Sequence, residues 1–190
     1  MITLVIVHAQ NDFITGTMCV KHAKSVIEEI KKFIKNHQKE IDKIIFVVDW
    51  HPYNHSSFKK YGGEYQYHCI QYTPGACIEP KLLKYVHSLD INYEVSRIGE
   101  IEEVTELGAF NDIELVQDAL GSRYYFDSVV TADADSTFVI CGVSNSVSST
   151  INNMLKENIT PKVFMPGIIS NDGCKIFSEF VKENQLEKTT

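Results

Sequence analysis

Apolar β-branched runs alternate with amphipathic stretches along most of the chain. Ile2–Val7 is a continuous apolar run of strand length, and it leads into the turn-rich Ala9-Gln10-Asn11-Asp12-Phe13. From Val20 to about His37 the residues Ala23, Val26, Ile27, Ile30, Phe33 and Ile34 recur at helical spacing, with Lys and Glu between them. That spacing predicts a helix with one buried face. Lys43–Trp50 contains Ile44-Ile45-Phe46-Val47-Val48, the composition of a strand buried on both faces. A polar, aromatic loop then runs from His51 to about Pro80. The same reading predicts helices over Glu79–Leu89, Asn111–Leu120, Ser146–Asn158 and Asp172–Leu186, and strands over Asn92–Ile98, Ser136–Val143 and Lys162–Met165. The terminal Glu-Lys-Thr-Thr is expected to fray.

Strands alternating with helices imply right-handed βαβ crossovers and an α/β fold, with a mainly parallel sheet covered on both faces. Chemistry in such sheets collects in the loops beyond the carboxyl ends of the strands. Four places therefore stand out: around His8, Asp49–His55, Ile98–Phe110 and Gly142–Ser149. No repeat, low-complexity tract or linker interrupts the chain, so residues 1–190 read as one domain.

Composition narrows the function classes. The net charge is 18 − 25 = −7, which argues against a partner contacted through a phosphate backbone. No apolar run approaches the length of a membrane span. The first residues lack a basic segment and a small-residue cleavage site, so they read as a core strand. Five scattered cysteines in a chain of 190 residues suit reduced thiols in a cytoplasm. Of seven histidines, three (His51, His55 and His68) fall in the segment after the second strand.

Asp49 and His51 close that strand. With a residue period of two they point to the same side, so an oxygen and an imidazole can converge on a cation. His68 can supply a third ligand, and His55 a fourth or a group supporting one. Two imidazoles and a carboxylate with open positions suit Zn, Fe or Mn. A short D-x-H also fits surface-loop residues with Asp49 capping a turn.

A longer pattern adds specificity. Asp49-Trp50-His51-Pro52-x-x-His55-x-Ser57-Phe58, followed by His68-Cys69-x-x-x-Thr73-Pro74-Gly75-Ala76, resembles the metal-site region of the nicotinamidases. These belong to the isochorismatase-like cysteine hydrolase superfamily. Val7-x-x-Gln10-Asn11-Asp12-Phe13-x-x-Gly16 resembles the first-strand motif of that family, and Leu107-Gly108-Ala109-Phe110 its Tyr-Ser-Ala-Phe. Gly142-Val143 with the following helix resembles its nucleophile elbow. The resemblance runs from Met1 to about Pro166. It implies a three-layer αβα fold, a divalent metal (zinc above all, or Fe or Mn) on Asp49, His51 and His68, and an aromatic pocket with Phe13 and Tyr65 for a small planar amide or heterocycle. Self-association is also common in that family.

The family hydrolyses amides with a cysteine thiolate, an aspartate and a lysine, and all three positions differ here. His8 stands at the aspartate position. Counting back from Leu107 puts Ile98 at the lysine position, with Arg97 sent to the opposite face. Registering the elbow on the downstream helix puts Ser146 at the cysteine position; registering it on Gly142 puts Ser148 there. Cys141 lies inside the strand and reads as a buried structural thiol. Two outcomes fit the replacements: a homologue inactive toward the usual substrates, or a divergent amide hydrolase using Ser146 with His8. His8 turned inward as an extra metal ligand is a further alternative. Cys69 reads as structural, and Glu100, Glu102, Glu103 and Glu106 as a solvated acidic loop.

Overall fold

The computed structural model describes residues 1–103, 108–110, 116–117, 123–124 and 136–190. Its strands are β1 (Ile2–Val7), β2 (Ile41–Asp49), β3 (Asn92–Ile98), β4 (Val116–Gln117), β5 (Arg123–Tyr124), β6 (Thr137–Val143), β7 (Lys162–Ile169) and β8 (Lys188–Thr189). Its helices are α1 (Asn11–Ile14), α2 (Ala23–Asn36), α3 (Pro80–Ser88), α4 (Ser144–Lys156) and α5 (Lys175–Glu183). Among the described residues, six strands form a parallel sheet in the order β3-β2-β1-β6-β7-β8.

The order follows from composition. Leu4–Val7 and Ile44–Val47 are almost fully buried, as central parallel strands require, whereas β3 alternates at the sheet edge with Tyr93 and Val95 partly in solvent. Helix α2 packs with α3 and lies on β7, while α4 packs with α5 and lies on β6. The buried stripe of α2 is Ala23, Ile27, Ile30, Phe33 and Ile34, the spacing read from the sequence. The result is the three-layer αβα arrangement that the resemblance implied.

Parallel register brings the strand ends to one edge. Val7 pairs with both Val47 and Gly142, and Asp49 pairs with Ile98. Gly142 has φ +123°, and a Cβ there would run into the Val7 carbonyl, so only glycine lets β6 approach β1 this closely. His8, Trp50, Gly99 and Ser144 therefore leave the sheet side by side.

Several expectations change. Asn11–Ile14, read as a turn, forms a short helix. Helix α4 begins at Ser144, two residues before the expected start. Strand β7 continues past Met165 to Ile169, although its register slips where Pro166 cannot donate a hydrogen bond. Lys188–Thr189 does not fray but pairs with Val163–Phe164. Within the helix expected over Asn111–Leu120, Val116–Gln117 instead pairs antiparallel with Arg123–Tyr124. The rest of that segment, like Glu106 and Leu107, lies outside the described residues. Among those described, no helix is long and apolar enough to cross a membrane.

Candidate metal centre and its cavity

Asp49 ends β2, and its backbone is held from the neighbouring turn by the side chain of Gln10. The Gln10 amide donates to the Asp49 carbonyl at 2.7 Å and accepts from its N–H at 2.8 Å. It also donates to the Ala76 carbonyl at 2.8 Å, so one buried side chain ties two loops to the strand end. Two residues on, the His51 N–H donates to the Cys69 carbonyl, and the His51 carbonyl accepts from Gln71 N–H. The far end of the loop is thus laid beside His51 as a short parallel bridge. Asp12 fixes the same segment: its Oδ2 accepts from the Cys69 N–H at 2.7 Å. This is how His68, distant in sequence, comes to face Asp49.

The three side chains are buried, with Asp49 at 5%, His51 at 4% and His68 at 5% exposure. Their ligand atoms all lie within 4.8 Å of one another. The tautomers follow from the partners, because a carbonyl oxygen can only accept. His51 Nδ1–H donates to the Gly99 carbonyl at 3.1 Å, and His68 Nδ1–H to the Gln66 carbonyl at 2.8 Å. Each neutral ring therefore presents a bare Nε2. Those nitrogens face Asp49 Oδ2 at 3.6 and 3.5 Å. With both rings neutral, three acceptors converge with no donor among them, a set that a cation satisfies. Two imidazoles and one carboxylate oxygen match the donor set of Zn, Fe or Mn sites.

The electrostatics agree. Burial alone would raise the Asp49 carboxyl, but the imidazoles of His8, His51 and His68 outweigh it and hold the group well below the usual carboxylate range. Burial would lower His68, yet Asp49 and the Gln66 carbonyl raise it above an ordinary histidine. The field that suits a metal ion thus also favours a proton at that ring.

His55 is fully buried, with its ring 4.3 Å from that of His51. Its Nδ1 accepts from the Ser57 N–H at 3.2 Å and stands 2.7 Å from the Ser57 hydroxyl. The proton of the neutral ring then sits on Nε2, which leaves His55 as a supporting ring rather than a lone-pair donor. Phe58 lies edge-on to His51, His55 and His68.

A cavity of about 290 Å³ opens over this cluster. His8, Phe13, Tyr65, Ser146, Ser149 and Asn171 line it, together with the Asp49 group. Phe13 stacks on His8 at 5.1 Å and meets His68 edge-on, and Tyr65 also meets His68 edge-on. Both aromatic residues expected at the pocket therefore stand in it. Ser146 lies in the first turn of α4 and faces the cavity, whereas Ser148 lies off its lining and donates to the Ser144 carbonyl at 3.1 Å. Ile98 is buried at 2% exposure, and Arg97 turns outward over the Trp50 ring at 4.7 Å. Cys69 and Cys141 are fully buried off this lining, and burial pushes both thiols far up.

His8 is 3% exposed and has φ +56°, an uncommon conformation for a non-glycine residue. Its Nε2 stands 3.2 Å from Asp49 Oδ1, off the line of a well-directed hydrogen bond. Among the described residues neither ring nitrogen has a hydrogen-bond partner. Burial holds this ring below an ordinary histidine, against the pull of Asp49 and with the push of His68 and His51.

Sequence reasoning passed over Gln10, Asp12, Gly99 and Asn171 as parts of the site. The first two were visible only as motif letters, because their partners lie far off in sequence. Gly99 has φ +66°, and a Cβ there would run into the His51 ring. Asn171 belongs to the loop after β7, a strand-end loop that the motif search did not single out.

This architecture is the isochorismatase-like α/β fold, as comparison with solved structures shows. The yeast nicotinamidase bound to nicotinaldehyde superposes with a TM-score of 0.80 at 18% identity, covering 100% of this chain and 99% of that one. The zinc complex of Pyrococcus horikoshii pyrazinamidase gives 0.73 at 19% identity, covering 100% and 98%. An isochorismatase-like hydrolase from Alkaliphilus metalliredigens gives 0.71 at 14%, covering 99% and 94%. In sequence the chain is 36% identical to the Saccharomyces cerevisiae nicotinamidase over 62 residues, which is 32% of this chain and 29% of that protein. It is 30% identical to the Escherichia coli nicotinamidase over 95 residues, 42% of this chain and 45% of that protein. The matched stretches thus span less than half of either curated relative. No family model matches.

Proposed function

We propose that this chain is a single-domain, nicotinamidase-like member of the isochorismatase-like superfamily that binds a small planar amide or heterocycle beside a divalent metal and lacks the family's cysteine amidase activity. Asp49, His51 and His68 would hold the metal, and Phe13 and Tyr65 would flank the ligand. When bound, the ion supplies a Lewis-acid charge for a carbonyl oxygen or ring nitrogen. Zinc is our choice, because these donors suit it and because the Pyrococcus horikoshii neighbour is complexed with zinc. The cavity, about 290 Å³, is at the small end of ligand pockets, which run from about 300 to 1,000 Å³. Its size and aromatic walls suit a ligand like the nicotinaldehyde of the yeast neighbour.

The observation that carries the reading is the contrast at the family's three catalytic positions. Ile98 offers no charge, Ser146 offers a hydroxyl in place of a thiol, and His8 turns its Nε2 toward Asp49. An unactivated serine is a poor nucleophile without a base in hydrogen-bond reach. A second reading, a Ser146–His8 amide hydrolase, is favoured by the cavity that both residues line. In it Ser146 Oγ attacks the amide carbon, His8 takes the hydroxyl proton and returns it to the departing ammonia, and water then cleaves the acyl-serine.

Ammonia release from nicotinamide and related amides, with Zn, Fe or Mn supplied, separates the two. The binding reading expects no turnover above background while the amide still shifts the melting temperature of the metal-loaded protein. Turnover abolished by Ser146→Ala establishes the hydrolase instead. Turnover that survives both Ser146→Ala and Ser148→Ala sinks either form of the proposal.

A further inference from the structure

The carboxylate of Asp49 is divided between two sets of imidazoles. Oδ2 faces His51 and His68 at 3.6 and 3.5 Å, while Oδ1 faces His8 at 3.2 Å. His8 stands outside the set of mutually close ligand atoms. It is buried and lies stacked on Phe13, and among the described residues neither ring nitrogen has a well-directed hydrogen bond, the 3.2 Å approach to Oδ1 being a charge–dipole contact off the N–H line. A buried ring with an unspent N–H beside a buried carboxylate oxygen has one favourable use, which is to place that N–H against the oxygen.

We infer that His8 is a positioning residue of the metal centre. Its Nε2–H bears on Asp49 Oδ1 and thereby fixes the carboxylate plane so that Oδ2 is turned toward His51 and His68. The left-handed backbone at His8 carries the ring across the end of β1 to reach Asp49. Ligand histidines elsewhere are commonly oriented by a carboxylate or carbonyl; here the ligand carboxylate is oriented by a histidine. The residue at the family's acid position would then serve the metal side of the cavity and not the serine side. This rests on the metal reading above, so its test must separate the two.

The experiment measures Zn2+ affinity by competition with a chromogenic chelator, for wild type, His8→Phe, His8→Gln and the control Asp49→Asn. Phenylalanine keeps the ring against Phe13 and lacks the N–H; glutamine keeps an amide N–H at similar reach and loses the ring. A positioning role predicts a loss of about tenfold to a hundredfold for His8→Phe, the usual cost of removing a group that orients a ligand, and recovery to within about threefold for His8→Gln. A packing role predicts the reverse order and overturns the inference. Thermal melts of the zinc-free variants report whether each one folds. Should His8→Phe fail to fold, long-range 1H–15N spectra of wild type decide. Zinc must shift the Nε2 signals of His51 and His68 to coordinated positions and leave His8 Nε2 protonated; a coordinated His8 overturns the role. Wild type that binds no stoichiometric zinc, with Asp49→Asn indistinguishable from it, removes the metal reading and this inference with it.

Discussion

The Asp49 side and the Ser146 side of the cavity share one edge of the sheet, yet their polar groups are provided for differently. On the first side each group has a partner that fixes its orientation. Gln10 clamps the Asp49 backbone, Gly99 and Gln66 carbonyls set the tautomers of His51 and His68, and Asp12 anchors the loop that delivers His68. On the second side Ser146 stands in the first turn of α4, and His8 leans away toward Asp49. Preorganisation is what separates a site from a group of polar residues, because unfixed side chains must be ordered at the moment of use. By that measure the Asp49 side is preorganised, with its polar groups fixed by partners, and the Ser146 side is less so.

The largest expected effect lies on the organised side. Asp49→Ala removes the only carboxylate of the candidate set and should weaken zinc binding by more than about a hundredfold, beyond the cost of losing a supporting group. Chelator competition measures it, and affinity within tenfold of wild type would show that the cation sits elsewhere. The next probe goes to the buried end of β3. Ile98→Lys places an ammonium at a position with 2% exposure, within the main hydrophobic core. Burying an unpaired charge should cost about 3 kcal/mol. For a chain of this size that corresponds to a fall of about 6–12 °C in melting temperature. An Ile98→Lys protein that melts like wild type would mean that the end of β3 accommodates a cation after all.

Much of this was legible in the sequence, for different reasons in different places. The burial of β1 and β2 on both faces shows in unbroken Val and Ile runs, and the stripe of α2 shows in its spacing, because both are local and periodic. Asp49, His51 and His68 were legible through a motif of residue types at fixed separations. The clamps of Gln10 and Asp12 were not, since nothing in their neighbourhoods points to Ala76 or Cys69. The orientation of His8 could not be read either, because it depends on a left-handed backbone and on which oxygen of Asp49 the ring meets. The short strands β4 and β8 escaped because two-residue pairings carry no period. Val116–Gln117 falls inside a stretch whose spacing reads as helix, yet pairs with Arg123–Tyr124.

Two smaller effects test how sharply the sides are divided. Gly99→Ala meets both a backbone at φ +66° and the His51 ring in the path of its Cβ. It should lower stability by about 1–2 kcal/mol and, by pushing His51 off its carbonyl, weaken zinc binding about tenfold. A Gly99→Ala protein with wild-type affinity would show that the Gly99 carbonyl does not orient His51. Ser146→Ala should do the least. A neutral hydroxyl is a weaker metal ligand than a carboxylate or imidazole, and alanine is the better helix former in the first turn of α4. Zinc affinity should stay within about twofold and stability within about 0.5 kcal/mol of wild type. A larger loss of metal affinity would mean that Ser146 reaches the ion's surroundings, and the cavity would then be one connected site instead of an organised half beside an idle one.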